Sequence, residues 1–322
     1  MPTSDPCFDL SARPLADGLL DLIGRTPLVE LRSFQPREGV KLYAKLEGQN
    51  PSGSVKDRIA RALIERAEAE GRLKPGGTII EASSGNTGIA VGLVGKRKGY
   101  RVVVVVPREI PPTILDVMRL LGVEVLHCEA CAGLAGAIRQ AERLAEERGY
   151  CALRQFDSPV NVETHRDGTG QELLRALPQV DAFVAGIGTG GTLMGVGRRL
   201  RAHNPAVKLI GVSPKHGERL QGLRDLSHGY ELPLLDLDLL DARYMVDNAT
   251  ALNMTRRIVE QEGILGGVSC GACLHAALRY AERMASGNMV VMFPDGAWKY
   301  LPARPWEAAL GHDPLLDEFH WW

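Results

Sequence analysis

Apolar positions along the chain follow two periods in turn. Short runs that alternate, or that are apolar throughout, read as strands. They span 40–47 (VKLYAKLE), 77–83 (GTIIEAS), 101–107 (RVVVVVP), 123–128 (VEVLHC), 181–187 (DAFVAGI), 207–214 (VKLIGVSP) and 288–296 (NMVVMFPDG). Helical spacing fills the intervals. Over 56–73, Ile59, Leu63 and Ala67 share one face and Gly71 marks the end. Further helices are expected over 87–99, 113–122, 132–149, 192–204 and 273–284. The β-branched run at 101–107 stops at Pro107, as a central parallel strand does. Strand–helix alternation implies mainly parallel sheets covered by helices. Two such series imply an α/β fold of two lobes, each a mainly parallel twisted sheet flanked by helices. Sites in such folds sit at the carboxyl ends of strands, often between lobes.

Composition narrows the function. The chain has 322 residues, with 38 Lys and Arg against 39 Asp and Glu. That balance argues against nucleic acid as a partner but allows one small anionic ligand. No apolar run is long enough for a membrane span, and the first residues lack a secretory pattern, so a cytoplasmic enzyme is expected. Two of the cysteine pairs have CxxC spacing, Cys128/Cys131 and Cys270/Cys273. They lie far apart and each opens a helix, so no metal site is expected, and buried, reduced cysteines are.

Three loops follow strands and open helices. In EASSGNTG (81–88), Ser83, Ser84, Asn86 and Thr87 stand beside free helix N-terminal amides, which suits a carboxylate. A helix cap with a glycine turn would explain the same residues. In GIGTGGT (186–192), glycines and threonines suit a phosphate. Gly186, Gly188 and Gly191 satisfy G-x-G-x-x-G, but the next strand ends in Ser213 and Pro214, with no acid for a dinucleotide ribose. In GVSCGA (267–272), Ser269 is an N-cap candidate whose hydroxyl also suits a ring nitrogen.

A fourth stretch, NPSGSVKDR (50–58), places Lys56 at a helix start behind a Pro51–Gly53 turn. Alone, it reads as a solvated lysine. With a phosphate cup, a carboxylate loop and a hydroxyl for a ring nitrogen, it completes the parts of a pyridoxal phosphate site. A serine opposite the pyridine leaves that nitrogen neutral, which favours elimination of a β-substituent.

The stretches IGRTPLVEL, KLEGQNPSGSVKDR, EASSGNTGIA, QFDSPVN, GIGTGGTLMGVGR and GVSCGA together resemble the cysteine synthase family, of the tryptophan-synthase-β fold type. The resemblance runs from 19–31 to 295–301. It implies that Lys56 forms the Schiff base and later moves the Cα proton. It places Asn86 at the cofactor's ring oxygen and Ser269 at its ring nitrogen. Gly188, Thr189, Gly190, Gly191 and Thr192 would hold its phosphate, and Ser83, Ser84, Thr87 and Gln155 the substrate carboxylate. The implied reaction is β-replacement on an activated serine through an aminoacrylate, with sulfur as nucleophile and cysteine as product. The implied architecture is a smaller mobile lobe over 44–148 carrying the carboxylate loop, a larger cofactor-binding lobe over 12–43 and 149–310, and a tail over 311–322. The resemblance also implies a homodimer.

Donor and acceptor are less constrained. The segment 217–236 supplies Arg219 and Arg224, and resembles the O-phosphoserine-using cysteine synthase B branch, where an arginine matches Arg224. HAALRY and AWKYL point to the same branch. O-phosphoserine is therefore favoured over O-acetylserine, and the sulfur source is sulfide or the thiocarboxylate of a small sulfur-carrier protein. The alternatives are another nucleophile, giving a diaminopropionate derivative or cystathionine, and serine or threonine deamination. Departures from the family pattern fall at Pro111–Pro112, at Arg166–Asp167 and at Cys270. The aromatic end, DEFHWW, suits a lid or an interface.

Overall fold

A computed structural model describes residues 16–108, 110–128, 133–226 and 232–303. The aromatic tail, read as a lid or an interface element, lies outside them, as does Cys131. Two sheets form. The larger combines β1 (Leu28–Glu30), β2 (Val40–Leu46), β7 (Ala182–Gly186), β8 (Lys208–Pro214), β9 (Ala242–Val246) and β10 (Gly287–Phe293) in the order β1-β2-β10-β7-β8-β9. All its pairs are parallel except β1 with β2. The smaller runs β5-β4-β3-β6 and is parallel throughout, with β3 at Thr78–Ala82, β4 at Arg101–Val106, β5 at Glu124–His127 and β6 at Cys151–Ala152.

Helices α1 (Lys56–Ala69), α2 (Asn86–Arg97), α3 (Pro112–Leu120) and α4 (Gly133–Arg148) cover the smaller sheet. Helices α5 (Pro159–Thr164), α6 (Gly170–Ala176), α7 (Gly191–His203), α8 (Asn248–Glu262) and α9 (Val268–Ala281) follow. A wide π turn, His165–Thr169, joins α5 to α6. Central strands are apolar because both faces are covered: β4 is buried from Val102 onward. Helix α9 packs against β7 and β10, and most of its residues are buried.

Boundaries depart from the sequence reading in instructive ways. The helix expected over 56–73 stops at Ala69, and Gly71 supplies the left-handed turn after it, at φ 70°. Strand β10 ends at Phe293, and 294–296 leave it as a connecting turn. Gly267, not Ser269, is the N-cap of α9. The Pro111–Pro112 pair starts α3, with Pro112 at the first position, where its missing N–H costs nothing.

Candidate active site

The turn after β10 stitches two loops together. Val55 N donates to Pro294 O at 2.8 Å and Gly296 N to Gly53 O at 3.2 Å. On the other side, Gly267 N donates to Asp295 O at 3.0 Å and Ala297 N to Leu265 O at 3.0 Å. Lys56 opens α1 on one side of this seam, and Ser269 sits in the first turn of α9 on the other. Gly53 is required here: its φ is 80°, and a Cβ would lie 2.5 Å from the Trp298 indole nitrogen.

Lys56 is half-buried, and its amine has no hydrogen-bond partner among the described residues. Loss of water lowers its pKa to about 8; the Asp295 carboxylate opposes that shift and the Lys299 ammonium adds to it. Asn86 opens α2, and its carboxamide is gripped at both ends. Its Nδ2 donates to Asp295 Oδ2 at 2.8 Å, and its Oδ1 accepts from Lys299 Nζ. Lys299 and Asp295 pair at 3.2 Å, and Tyr300 OH donates to Asp295 Oδ2 at 2.9 Å. Asp295, Lys299 and Tyr300 are site neighbours that sequence reasoning does not supply.

The carboxylate loop is pre-shaped by its own side chains. Ser83 Oγ accepts from Gly85 N at 3.1 Å and Gly88 N at 3.0 Å, which caps α2. Thr87 Oγ1 donates to Gln155 Oε1 at 2.7 Å, and Gln155 Nε2 donates to Ala82 O at 2.9 Å. Ser83, Thr87 and Gln155 are thus buried and engaged, while Ser84 is half-buried beside the helix amides. Gln221, also outside the sequence-derived set, is 6% exposed. Its Nε2 has no hydrogen-bond partner among the described residues and faces Gly85, where a Cβ would lie 3.3 Å away.

Asn161 ties this loop to the next. Its Nδ2 donates to Gln155 O at 2.9 Å and to Thr189 Oγ1 at 3.0 Å. Thr189 Oγ1 also accepts from Gly191 N at 3.2 Å. Gly190 caps α7 in the left-handed region, at φ 87°. Thr192 Oγ1 lies 3.2 Å from Nε2 of His165, whose Nδ1 lies 2.9 Å from Thr169 Oγ1. Burial holds that imidazole neutral, its pKa far below the usual histidine range. The backbone of Arg224 adjoins the strand end that leads into this cup. Its backbone N donates to Ile187 O at 2.8 Å, and its guanidinium stacks 5.1 Å from the Phe156 ring, one residue beyond Gln155. Arg219 is exposed. Lys215 pairs with Asp247 at 2.7 Å, and Arg166 with its neighbour Asp167.

Behind the carboxylate loop, Glu81 accepts from Ala82 N at 2.9 Å and Gln155 N at 3.2 Å. Burial nevertheless raises its pKa to about 8. Between the unfolded value near 4.5 and about 8, the folded chain holds a proton that the unfolded chain has lost, so stability falls as pH rises through that window. Glu81→Gln removes the fall. Between about pH 5.5 and about pH 7.5, wild type is expected to lose about 2 kcal/mol more than the variant in urea denaturation. Parallel pH profiles would contradict the buried, protonated carboxyl.

Cys270 and Cys273 are free and buried, and burial raises both thiols, Cys273 to about 12. Cys128 departs from the expectation of reduced cysteines: it is disulfide-bonded.

The residues brought together fit pyridoxal phosphate. They offer an unengaged amine, a glycine-lined cup at the start of α7, and a held carboxamide. Backbone crowding fits as well: a Cβ at Gly188 would lie 2.7 Å from Gly222 O. Residues 19–295 match the family described as pyridoxal-phosphate dependent enzyme. A cysteine synthase of Staphylococcus aureus is 40% identical over 300 residues, spanning 90% of this chain and 97% of that protein. The structure of an O-ureido-L-serine synthase matches with a TM-score of 0.87 at 35% identity, over 95% of this chain and all of that one. Cysteine synthase from Entamoeba histolytica matches at 0.86 and 29% identity, over 99% of this chain and 98% of that one. The chain belongs to the pyridoxal-phosphate-dependent cysteine synthase family.

Proposed function

We propose that the protein joins a sulfur nucleophile to Cβ of an activated serine, preferring O-phosphoserine to O-acetylserine, and releases L-cysteine. The observation that carries the donor choice is Arg224, stacked on Phe156 beside the carboxylate loop. A phosphate dianion rewards a guanidinium whose orientation is already set, whereas an acetyl group gains little from it.

Pyridoxal phosphate, when bound, supplies an aldehyde for amino groups and an electron sink for bonds at Cα. Lys56 supplies the amine that anchors it and the base that takes the Cα proton. Gly188, Thr189, Gly190, Gly191 and Thr192 hold its phosphate, Asn86 its ring oxygen, and Ser269 its ring nitrogen. Ser84 and the first amides of α2 receive the substrate carboxylate, with Ser83, Thr87 and Gln155 fixing their geometry. The lobe built on the four-stranded sheet then closes over the substrate and excludes water. The family resemblance supports a homodimer and sulfur delivery as sulfide or a carrier-protein thiocarboxylate.

Arg224→Ala is expected to raise KM for O-phosphoserine about a hundredfold, and KM for O-acetylserine by less than about threefold. Steady-state kinetics with each donor would decide; equal effects would remove Arg224 from donor recognition. The match to O-ureido-L-serine synthase favours a second reading, in which the same donor chemistry serves a nucleophile other than sulfur. Product analysis with sulfide, thiosulfate and amines separates the two.

A further inference from the structure

Buried beside Lys56 lies an ion pair that the proposed reaction does not use. The Lys299 and Asp295 side chains are 0% and 2% exposed. Lys299 Nζ has three neighbours for its three hydrogens: Asp295, Asn86 Oδ1 and, at 3.5 Å, Gly53 O. Asp295 Oδ2 accepts from Asn86 and Tyr300, while Oδ1 has no hydrogen-bond partner among the described residues. Gly267 leaves that oxygen its room, since a Cβ there would lie 2.1 Å from it. Burying two charges costs several kcal/mol, and apolar residues of equal volume often hold a fold as well. The charges therefore answer to something else in the site.

We propose that Asp295 and Lys299 are positioning residues: together they fix the carboxamide of Asn86, and singly they place one negative and one positive charge beside the Lys56 amine. Asp295 takes one of the two hydrogens on Asn86 Nδ2 and leaves the other for the cofactor's ring oxygen, a role that rests on the function proposed above. Lys299 holds Oδ1 and prevents the amide from turning over. Among the described residues, the other charged groups near Lys56 are turned away or neutral. Asp57 faces Ser52, Arg58 faces Glu47 and Glu172, and His165 is neutral. The pair therefore sets the local field, the carboxylate raising the proton affinity of Lys56 and the ammonium lowering it.

The test compares wild type with Lys299→Met, Asp295→Asn, the double variant and Lys299→Arg, all as full-length chains. Trace labelling of cofactor-free protein with acetic anhydride across pH, read by mass spectrometry of the Lys56 peptide, reports that amine. Fluorescence titration with pyridoxal phosphate reports the cofactor site, and melting temperatures report stability. Lys299→Met is expected to raise the labelling pKa of Lys56 by about one unit and Asp295→Asn to lower it by about one. The double variant should fall near wild type and slightly below it, because the two influences oppose each other and the carboxylate is the larger. Lys299→Met should weaken cofactor binding about tenfold, and Lys299→Arg should recover most of that loss. Shifts in the same direction, no shifts, or an arginine no better than methionine would overturn the proposal. Asp295→Asn preserves shape and Lys299→Arg preserves charge, so the labelling and binding comparisons survive if Lys299→Met fails to fold. A wild type that does not bind pyridoxal phosphate would overturn both this proposal and the function it rests on. A wild type that binds it while the variants show no opposed shifts overturns the pair alone.

Discussion

Lys56→Ala is expected to lower β-replacement a thousandfold or more and to erase the visible absorbance of the purified protein. Three lysines line or back this region, and their surroundings separate them. Lys45 donates to Thr26 O at 2.6 Å and Glu172 at 2.8 Å. Lys299 is held by Asp295 and Asn86. Only Lys56 combines an amine without a hydrogen-bond partner among the described residues with a pKa lowered to about 8. At pH 7.5 such a group is about one quarter unprotonated, against about one part in a thousand for an ordinary lysine. A nucleophile toward an aldehyde needs that free pair, and so does a base at Cα. The phosphate cup does not depend on Lys56, so the alanine variant should still bind the cofactor reversibly. Absorbance spectra with equilibrium dialysis would check this. Colour that survives the substitution would move the chemistry to another lysine.

How much of this could be read from the sequence depended on whether the signal was local. The continuous apolar runs of β4 and β10 mark strands covered on both faces, and both stand in the structure. Strands β1 and β6 are three and two residues long, too short for a period, and β9 alternates between half-buried and exposed positions until Val246. The loops at 83–88 and 186–192 announced themselves because glycine and hydroxyl residues cluster within one turn of a helix start. The structure links them through Gln155 and Asn161, which the quoted QFDSPVN contains without revealing the contact. Asp295 and Lys299 stayed hidden for a physical reason. An acid and a lysine four residues apart ordinarily form a weak surface pair. Only the backbone seam from 53–55 to 294–296 buries this one beside Lys56. His165 is similarly silent until the π turn packs it against Thr192.

Arg58→Met is expected to cost about 3–5 kcal/mol of stability, far more than losing any surface ion pair, because Arg58 is the centre of a buried network. Its Nε and Nη2 reach Glu47 at 2.6 and 2.9 Å, and its Nη1 and Nη2 reach Glu172 at 2.7 and 2.8 Å. Glu47 is fully buried and also accepts from Thr26 Oγ1 and Asn50 Nδ2. The network spans the end of β2, the turn before Lys56, the first turn of α1 and the start of α6. Removing the guanidinium leaves two carboxylates facing each other with Lys45 as the remaining cation on Glu172. Methionine replaces volume but not charge, so the loss reads as electrostatics more than as a cavity. Arg66–Glu163, with both side chains about half exposed at 45% and 40%, is the control, and its loss should stay within about 1 kcal/mol. The pH dependence gives the same network an independent signature. Burial raises the Glu172 pKa, but Arg58 and Lys45 outweigh it and hold the group at about 2. Its stabilisation is complete above the unfolded value near 4.5 and disappears as pH falls through about 2. Wild type should therefore lose this stability on acidification, while Arg58→Met, already without it, should have a flatter acid limb. Urea denaturation of both proteins at neutral and acid pH measures the cost and the slope together. A loss below about 1 kcal/mol at neutral pH would mean that water or a shifted lysine replaces the guanidinium.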